Sequence, residues 1–322
     1  MKQVKDPMTA FIERSIDPVT IIGAYFPDWM DIAQNVMCPF HRDTKPSLHI
    51  DPSGKAYCHG CQTKARDIVE LVSLLDECSY EEAKASLYKD ITKPIPDTEI
   101  DAYTLNLNKR RRTLTHLLED RGLSAKVLIS HRLGYEPKSE RIVVPVFDQF
   151  GYCVNLRRLG WLDSHRVKAL NVKGRGEVRL YPEKSLVLNR KIVLVEGELD
   201  CLRGRSFYPY LPTVTWTGGA GNWNDNYTHM FRDKAVWILY DRDKAGRDGA
   251  ALCAEKLDGV ACHVVVVEMD KSVKGKDLTD WSISKVGLTA LSNLAAEVKQ
   301  FQPPRILRGK RYCPCCGQEV KK

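Results

Sequence analysis

The sequence predicts an α/β protein built around an open sheet, with a small metal-binding domain ahead of it. Three observations predict this. Ile192-Val-Leu-Val195 is an apolar, β-branched run that stops abruptly at Glu196-Gly197. Val236-Trp-Ile-Leu-Tyr240 stops in the same way at Asp241-Arg242-Asp243. Two buried strands that deliver carboxylates at their C-terminal ends describe the crevice of an open α/β sheet, where ligands usually sit. Far upstream, Cys38-Pro-Phe-His41 and Cys58-His-Gly-Cys61 form two knuckles separated by sixteen residues. That C-x₂-H … C-x₂-C arrangement suits a closed tetrahedral Zn²⁺ site.

A chain of 322 residues is ample for two domains, and an apolar fraction of 43% supports ordinary globular cores. A formal charge of +8 and a pI near 8.8 are a mild excess that fits a polyanionic partner. Met1-Lys-Gln-Val-Lys-Asp-Pro7 has no apolar signal core, and no stretch approaches the length of a membrane span, so no membrane is expected. The eleven cysteines are not spread like a secreted disulfide scaffold. They point to a reducing, cytoplasmic protein with zinc chemistry.

In chain order, residues 8–35 read as two short helices interrupted at Asp17-Pro18 and Pro27. Ser47-Leu-His-Ile50 and Lys55-Ala-Tyr-Cys58 alternate like two hairpin strands around Pro52-Ser-Gly54, and Asp67–Leu75 has helical periodicity. The zinc ligands are read as Cys38, His41, Cys58 and Cys61. His59 competes, but Cys61 completes the two-residue spacing. Periodicity lapses over 89–104 around two prolines, which places the metal domain at 1–90 and a linker at 91–108. Lys109-Arg-Arg-Arg112 follows, a run that is more often a solvated helix face than a phosphate site.

Ile142–Phe147 and Tyr152–Leu156 read as two strands joined by the turn Asp148–Gly151. Beyond them Arg157, Arg158, Arg166, Lys168, Lys173 and Arg175, interleaved with Trp161 and Tyr181, form the densest basic stretch adjoining the acidic strands. Cations beside a carboxylate-metal centre are expected where triphosphates and a nucleic acid backbone are held. Gly197 lets the chain turn tightly behind Glu196, and Asp248–Leu257 is periodic as a helix. Carboxylates converging at one sheet edge repel each other, and Mg²⁺, an oxygen-seeking cation, removes that cost. Thr215-Trp-Thr-Gly-Gly-Ala-Gly-Asn222 reads equally as a phosphate loop or a flexible turn, and residues 262–268 read as a third buried strand.

Val195-Glu-Gly-Glu-Leu-Asp200 followed by Tyr240-Asp-Arg-Asp-Lys-Ala-Gly246 resembles the Toprim signature of DnaG-type primases, topoisomerases and some nucleases. Cys-Pro-Phe-His-Arg-Asp-Thr-Lys-Pro-Ser47, then Tyr-Cys-His-Gly-Cys61 and an Asp-Ile-Val-Glu70 helix start, resemble the primase zinc ribbon. The family usually has glycines where this chain has Gln62 and Ala65. Arg121-Gly-Leu-Ser124, Leu133-Gly-Tyr135 and Arg141–Gly151 are similar to the basic subdomain ahead of Toprim in those primases. The resemblance implies a basic subdomain at 109–187, a Toprim domain at 188–285 and a tail at 286–322. It further implies Mg²⁺ (or Mn²⁺) held by Glu196, Asp241 and Asp243, with Asp200 and Asp277 as further catalytic acids and Asp280 close behind. Lys168-Ala-Leu-Asn171 sits where the family has Lys-Tyr-Leu-Asn, so Lys168 leads the nucleotide or template contacts, with Arg157, Arg158 and Lys173. On the ribbon, Lys45, His49, Lys55 and Tyr57 are the template-facing candidates.

The implied activity is DNA primase: short ribonucleotide primers made from nucleoside triphosphates on a single-stranded DNA template, in a bacterium or a phage-infected bacterial cell. No G-x-x-x-x-G-K-[ST] occurs in the chain, so a separate replicative helicase is the expected partner. A Toprim nuclease or nicking enzyme would use the same acids to cut, and a non-catalytic single-strand-binding factor would not need all three. Tyr312-Cys-Pro-Cys-Cys-Gly317 supplies half a zinc pattern in Cys313 and Cys316, with Cys315 between them.

Overall fold

A computed structural model describes residues 6–26, 29, 35–209, 211–269, 271–273, 275, 277–302, 305–307 and 310–312. Pro27 and the Cys313–Gly317 half-pattern lie outside the described residues. The chain divides into two units, Met1–Pro94 and Ile95–Lys322.

The first unit opens with α1 (Pro7–Ser15) and α2 (Pro18–Tyr25), each capped by an aspartate, Asp6 and Asp17, directly before its proline. Proline at the first helical position needs no N–H partner, and the aspartate satisfies the orphan donors that follow. Four short antiparallel strands come next in sequential order: β1 (Asn35–Val36), β2 (Leu48–Ile50), β3 (Ala56–Cys58) and β4 (Lys64–Ala65). Gly54 turns the central hairpin at φ +83, where a Cβ would meet Ile68 at 2.7 Å. α3 (Ile68–Leu75) and α4 (Tyr80–Thr92) close the unit, α4 with a reciprocal cap between Ser79 and Glu82.

The expected linker at 91–108 is corrected by the second unit's first helix, α5 (Asp97–Lys109). Ile95, Ile100 and Leu107 are buried, so the segment belongs to a core. The prolines at 94 and 96 mark the approach to a helix start, Pro96 being its N-cap residue. Short α6 (Arg111–Thr115), a π turn (His116–Asp120) and α7 (Ala125–Ser130) lead to an antiparallel sheet. Its strands run in order: β5 (Gly134–Glu136), β6 (Arg141–Phe147), β7 (Cys153–Leu159) and β8 (Ala169–Leu170).

The central sheet has the order β13-β12-β10-β11-β9, formed by β9 (Leu180–Tyr181), β10 (Lys191–Val195), β11 (Thr213–Trp216), β12 (Ala235–Leu239) and β13 (His263–Val266). All neighbours pair parallel except β9, which runs antiparallel to β11. Alternation sends Val193, Val195, Trp237 and Leu239 to one face. They pack there with α9 (Glu198–Phe207), α11 (Leu278–Ile283) and α12 (Lys285–Gln300). Ile192, Leu194, Val236 and Ile238 face the other way, against α8 (Glu183–Leu188), a 3₁₀ turn (Asp225–Phe231) and α10 (Lys244–Leu257). Burial on both faces explains the unbroken apolar runs of β10 and β12. The expected buried third strand is corrected: β13 is the sheet's edge, half-buried to exposed, with Val266 46% exposed. An apolar run does not by itself tell an edge from a centre. The last pair, β14 (Arg305–Leu307) and β15 (Lys310–Tyr312), is an antiparallel hairpin. No described helix is long and apolar enough to cross a membrane.

Candidate metal centres

In the first unit, Cys38, His41, Cys58 and Cys61 bring their ligand atoms within 4.8 Å of one another. Cys38 and Cys61 sulfurs are 3.8 Å apart and Cys58 Sγ lies 3.9 Å from His41 Nδ1. A tetrahedral site with Zn–S bonds of about 2.3 Å has sulfur–sulfur edges of about 3.8 Å, so this donor set fits Zn²⁺. The backbone N–H groups of Gly60 and Cys61 both donate to Cys58 Sγ at 3.3 Å, the polarity a thiolate ligand needs. Burial opposes ionisation of Cys58, yet the hydrogen bond from the Cys61 N–H favours the thiolate, and the Cys58 pKa falls below the ordinary thiol value. His59 is exposed and stacks edge-on to Tyr57 instead of joining the cluster. Where the family has glycine after the last cysteine, Gln62 takes the left-handed conformation itself, at φ 64, while Ala65 is buried in β4. Of the template-facing candidates, His49 and Tyr57 pair directly across β2 and β3, next to Lys64 on β4. Lys45 and Lys55 are exposed.

In the second unit, parallel pairing sets Val195 opposite Leu239. Glu196 and Asp241 therefore leave neighbouring strands at one edge, and the Asp241 N–H donates to Glu196 Oε2 at 3.1 Å. Asp243 caps α10 by accepting the Gly246 N–H at 2.9 Å. Gly246 is required because a Cβ there would sit 2.1 Å from the Asp241 carbonyl oxygen. Gly197 has another reason than the one expected. Its φ is −131, open to any residue, but a Cβ would lie 3.2 Å from the Asp200 carboxylate.

Asp200, on the first turn of α9, is the carboxylate the others perturb. Its carboxyl is raised to about 7, chiefly by burial, with the Arg121 guanidinium opposing and Asp277, Asp241 and Glu196 adding to the rise. Arg121 approaches to 3.7 Å, and the Thr279 hydroxyl donates at 3.4 Å. Four of the five acids named from sequence thus share one electrostatic neighbourhood. Asp277 also caps α11 in a reciprocal pair with Asp280, so Asp280 serves that cap. Among the described residues only the zinc set gathers its ligand atoms within 4.8 Å, so the acids share a neighbourhood without a closed cage; their all-oxygen chemistry and mutual repulsion are what a hard divalent cation relieves.

The basic residues divide. Arg157 is corrected as an exposed phosphate contact: it is buried, and its Nε donates to Glu198 Oε1 at 2.6 Å while its NH1 donates to Asn171 Oδ1 at 3.0 Å. Arg158, next along β7, points to the opposite face and pairs with Glu136 at 3.0 Å. Lys168 and Lys173 are exposed and make no ion pair among the described residues. Of the basic run, Arg110 pairs with Glu140 and Arg112 lies over Trp161. The glycine-rich segment after β11 packs against α10, where a Cβ on Gly249 would meet the Ala220 carbonyl at 2.2 Å. Sequence reasoning gave no role to Glu198 or Thr279, whose types carry no spacing signal, and took Arg121 only as part of a likeness.

Two family models match the chain: a CHC2 zinc finger of the DnaG zinc-ribbon type over residues 4–102, and a Toprim-like domain over residues 193–282. A DNA primase of Aquifex aeolicus is 27% identical over 301 residues, covering 73% of this chain and 59% of that protein. One of Chlamydia trachomatis is 23% identical over 325 residues, covering 80% and 54%. The chain thus spans a little over half the length of these curated relatives. The crystal structure of the Aquifex aeolicus primase zinc-binding and RNA polymerase domains aligns over 90% of this chain and 86% of that one, at 22% identity and a TM-score of 0.49. In its zinc ribbon, in its Toprim-like sheet and in the relatives that align along most of its length, the chain resembles the DnaG-type DNA primases.

Proposed function

We propose that the chain is a DNA primase, joining ribonucleotides into short primers on a single-stranded DNA template. The observation that carries this reading is the junction of Glu196 and Asp241 at the carboxyl edge of the parallel sheet, where the Asp241 backbone N–H donates to Glu196 Oε2 at 3.1 Å. Glu196, Asp241 and Asp243 are the residues that would hold Mg²⁺ (or Mn²⁺). When bound, such a cation neutralises the triphosphate and lowers the pKa of the attacking 3′-hydroxyl. Asp200, tethered by Arg121 and Thr279, adds a carboxylate whose charge varies near neutrality. Lys168 and Lys173 reach for phosphates, and Arg157 fixes the turn that carries Glu196 by gripping Glu198. The ribbon presents His49, Tyr57 and Lys64 as a stacking and cationic face for the template. A separate replicative helicase is the partner that would deliver it, and Asp277 completes the acidic set.

The test is synthesis with labelled ribonucleotides, single-stranded DNA and Mg²⁺, with products sized. Asp241→Asn keeps the volume and removes the charge, so it should abolish product while zinc content and single-strand binding stay near the parent's. Retained synthesis at ordinary Mg²⁺ would remove Asp241 from the role. Shortening of the template in place of primer growth would assign the same acids to a nuclease.

A further inference from the structure

Beyond its four ligands, the ribbon commits another charge to the metal site. Asp43 lies two residues past His41, its side chain only 8% exposed. Its Oδ2 accepts the Cys38 backbone N–H at 2.9 Å and the Ser47 hydroxyl at 2.7 Å. Its Oδ1 lies 3.7 Å from His41 Nε2 and accepts a longer bond from the Lys45 N–H at 3.4 Å. Ser47 Oγ is in turn 3.3 Å from Cys58 Sγ. One carboxylate therefore hydrogen-bonds the Cys38 backbone and the Ser47 hydroxyl beside Cys58, and stands at ion-pair distance from the distal ring nitrogen of His41. On the other side of the imidazole, Gly60 leaves room that a Cβ, 2.6 Å from Nε2, would take away.

We propose that Asp43 is the positioning residue of the zinc site, setting the orientation and donor strength of three of its four ligands. The proposal rests on reading those four residues as a zinc site and is independent of what the chain synthesises. An imidazole that coordinates through Nδ1 carries its proton on Nε2. A carboxylate 3.7 Å from that nitrogen favours this tautomer by its charge and makes the ligating nitrogen more basic. Ser47 has a single hydroxyl proton, and a carboxylate so placed draws it away from Cys58. The thiolate then keeps its electron density for the metal. The N–H bond to Cys38 anchors the first knuckle where its sulfur meets that of Cys61.

The experiment compares zinc affinity in the full chain by competition with a chromophoric chelator, for the parent, Asp43→Asn and Ser79→Ala. The last removes the cap of α4 and touches no ligand. Asp43→Asn should bind zinc about 10–100-fold more weakly, the range for lost outer-shell partners, while its Co²⁺ form still shows the spectrum of three thiolates and one imidazole. Affinity within twofold of the parent would overturn the proposal, as would an equal loss in Ser79→Ala, which would make the effect one of general stability. Should Asp43→Asn fail to fold, Ser47→Ala removes the hydroxyl that links the Asp43 carboxylate to Cys58 and leaves the carboxylate itself in place. It should weaken zinc several-fold, and parent-like affinity there overturns the proposal too. Failure of the ligand reading looks different: the parent itself would hold less than one zinc or show another Co²⁺ spectrum.

Discussion

At the scale of single residues, Asp200 has the most to report about the acidic centre. Its carboxyl lies at about 7 against an ordinary 3.8, so the folded chain retains a proton that the unfolded chain has lost. The associated stability is full below about pH 4 and disappears as pH rises through 7. In EDTA, the core's unfolding midpoint should fall across that window, and Asp200→Asn should flatten the slope. Mg²⁺ affinity should rise with pH through 7, as ionised Asp200 adds attraction for the cation. An unchanged slope in Asp200→Asn would detach this residue from the cluster. Gln62 gives a second forecast. A left-handed backbone costs a side-chain-bearing residue about 1–2 kcal/mol, and Gln62 adopts one at φ 64. Gln62→Gly should stabilise the zinc-loaded ribbon by about 1 kcal/mol in denaturant titration, and a loss of stability would show that the Gln62 side chain contributes more than its backbone costs.

At the scale of elements, the Arg157–Glu198 pair joins β7 to the first turn of α9 with both side chains under a tenth exposed. Removing one partner of such a pair leaves a buried charge and costs about 3–5 kcal/mol. Glu198→Ala should show that loss in core stability, whereas the more exposed Arg158 pair should lose far less in Glu136→Ala. Equal effects would mean that β7 does not divide its arginines by face. This division also marks where the sequence stopped being legible. The strands ending in Glu196 and Asp241 could be read because their apolar runs are long and their acids sit at fixed positions after them. The zinc knuckles could be read because ligand spacing is local. Whether Arg157 meets a phosphate or Glu198 depends on a partner 41 residues away, and no local pattern encodes it. Helix α5 was hidden for a similar reason: its buried positions, Ile100 and Leu107, are two turns apart in a polar segment, and the prolines before it looked like a linker.

At the scale of the whole molecule, each unit holds its own buried core, Leu48, Ile50, Ile68 and Val69 in the first and Val193, Val195, Trp237 and Leu239 in the second. A closed zinc site contributes on the order of 10 kcal/mol to ordering a small domain. Cys61→Ser should therefore unfold the first unit, leave the second unit's transition in place, and still permit extension of a primer supplied in advance. The most direct measurement is product formation from labelled ribonucleotides on single-stranded DNA with Mg²⁺, de novo initiation and primer extension side by side, for the parent, Asp241→Asn and Cys61→Ser, with zinc quantified in each sample. A primase whose two metal centres divide the work makes products in both assays as the parent, in neither as Asp241→Asn, and by extension alone as Cys61→Ser; ribonucleotide incorporation by Asp241→Asn at the parent's rate would contradict it.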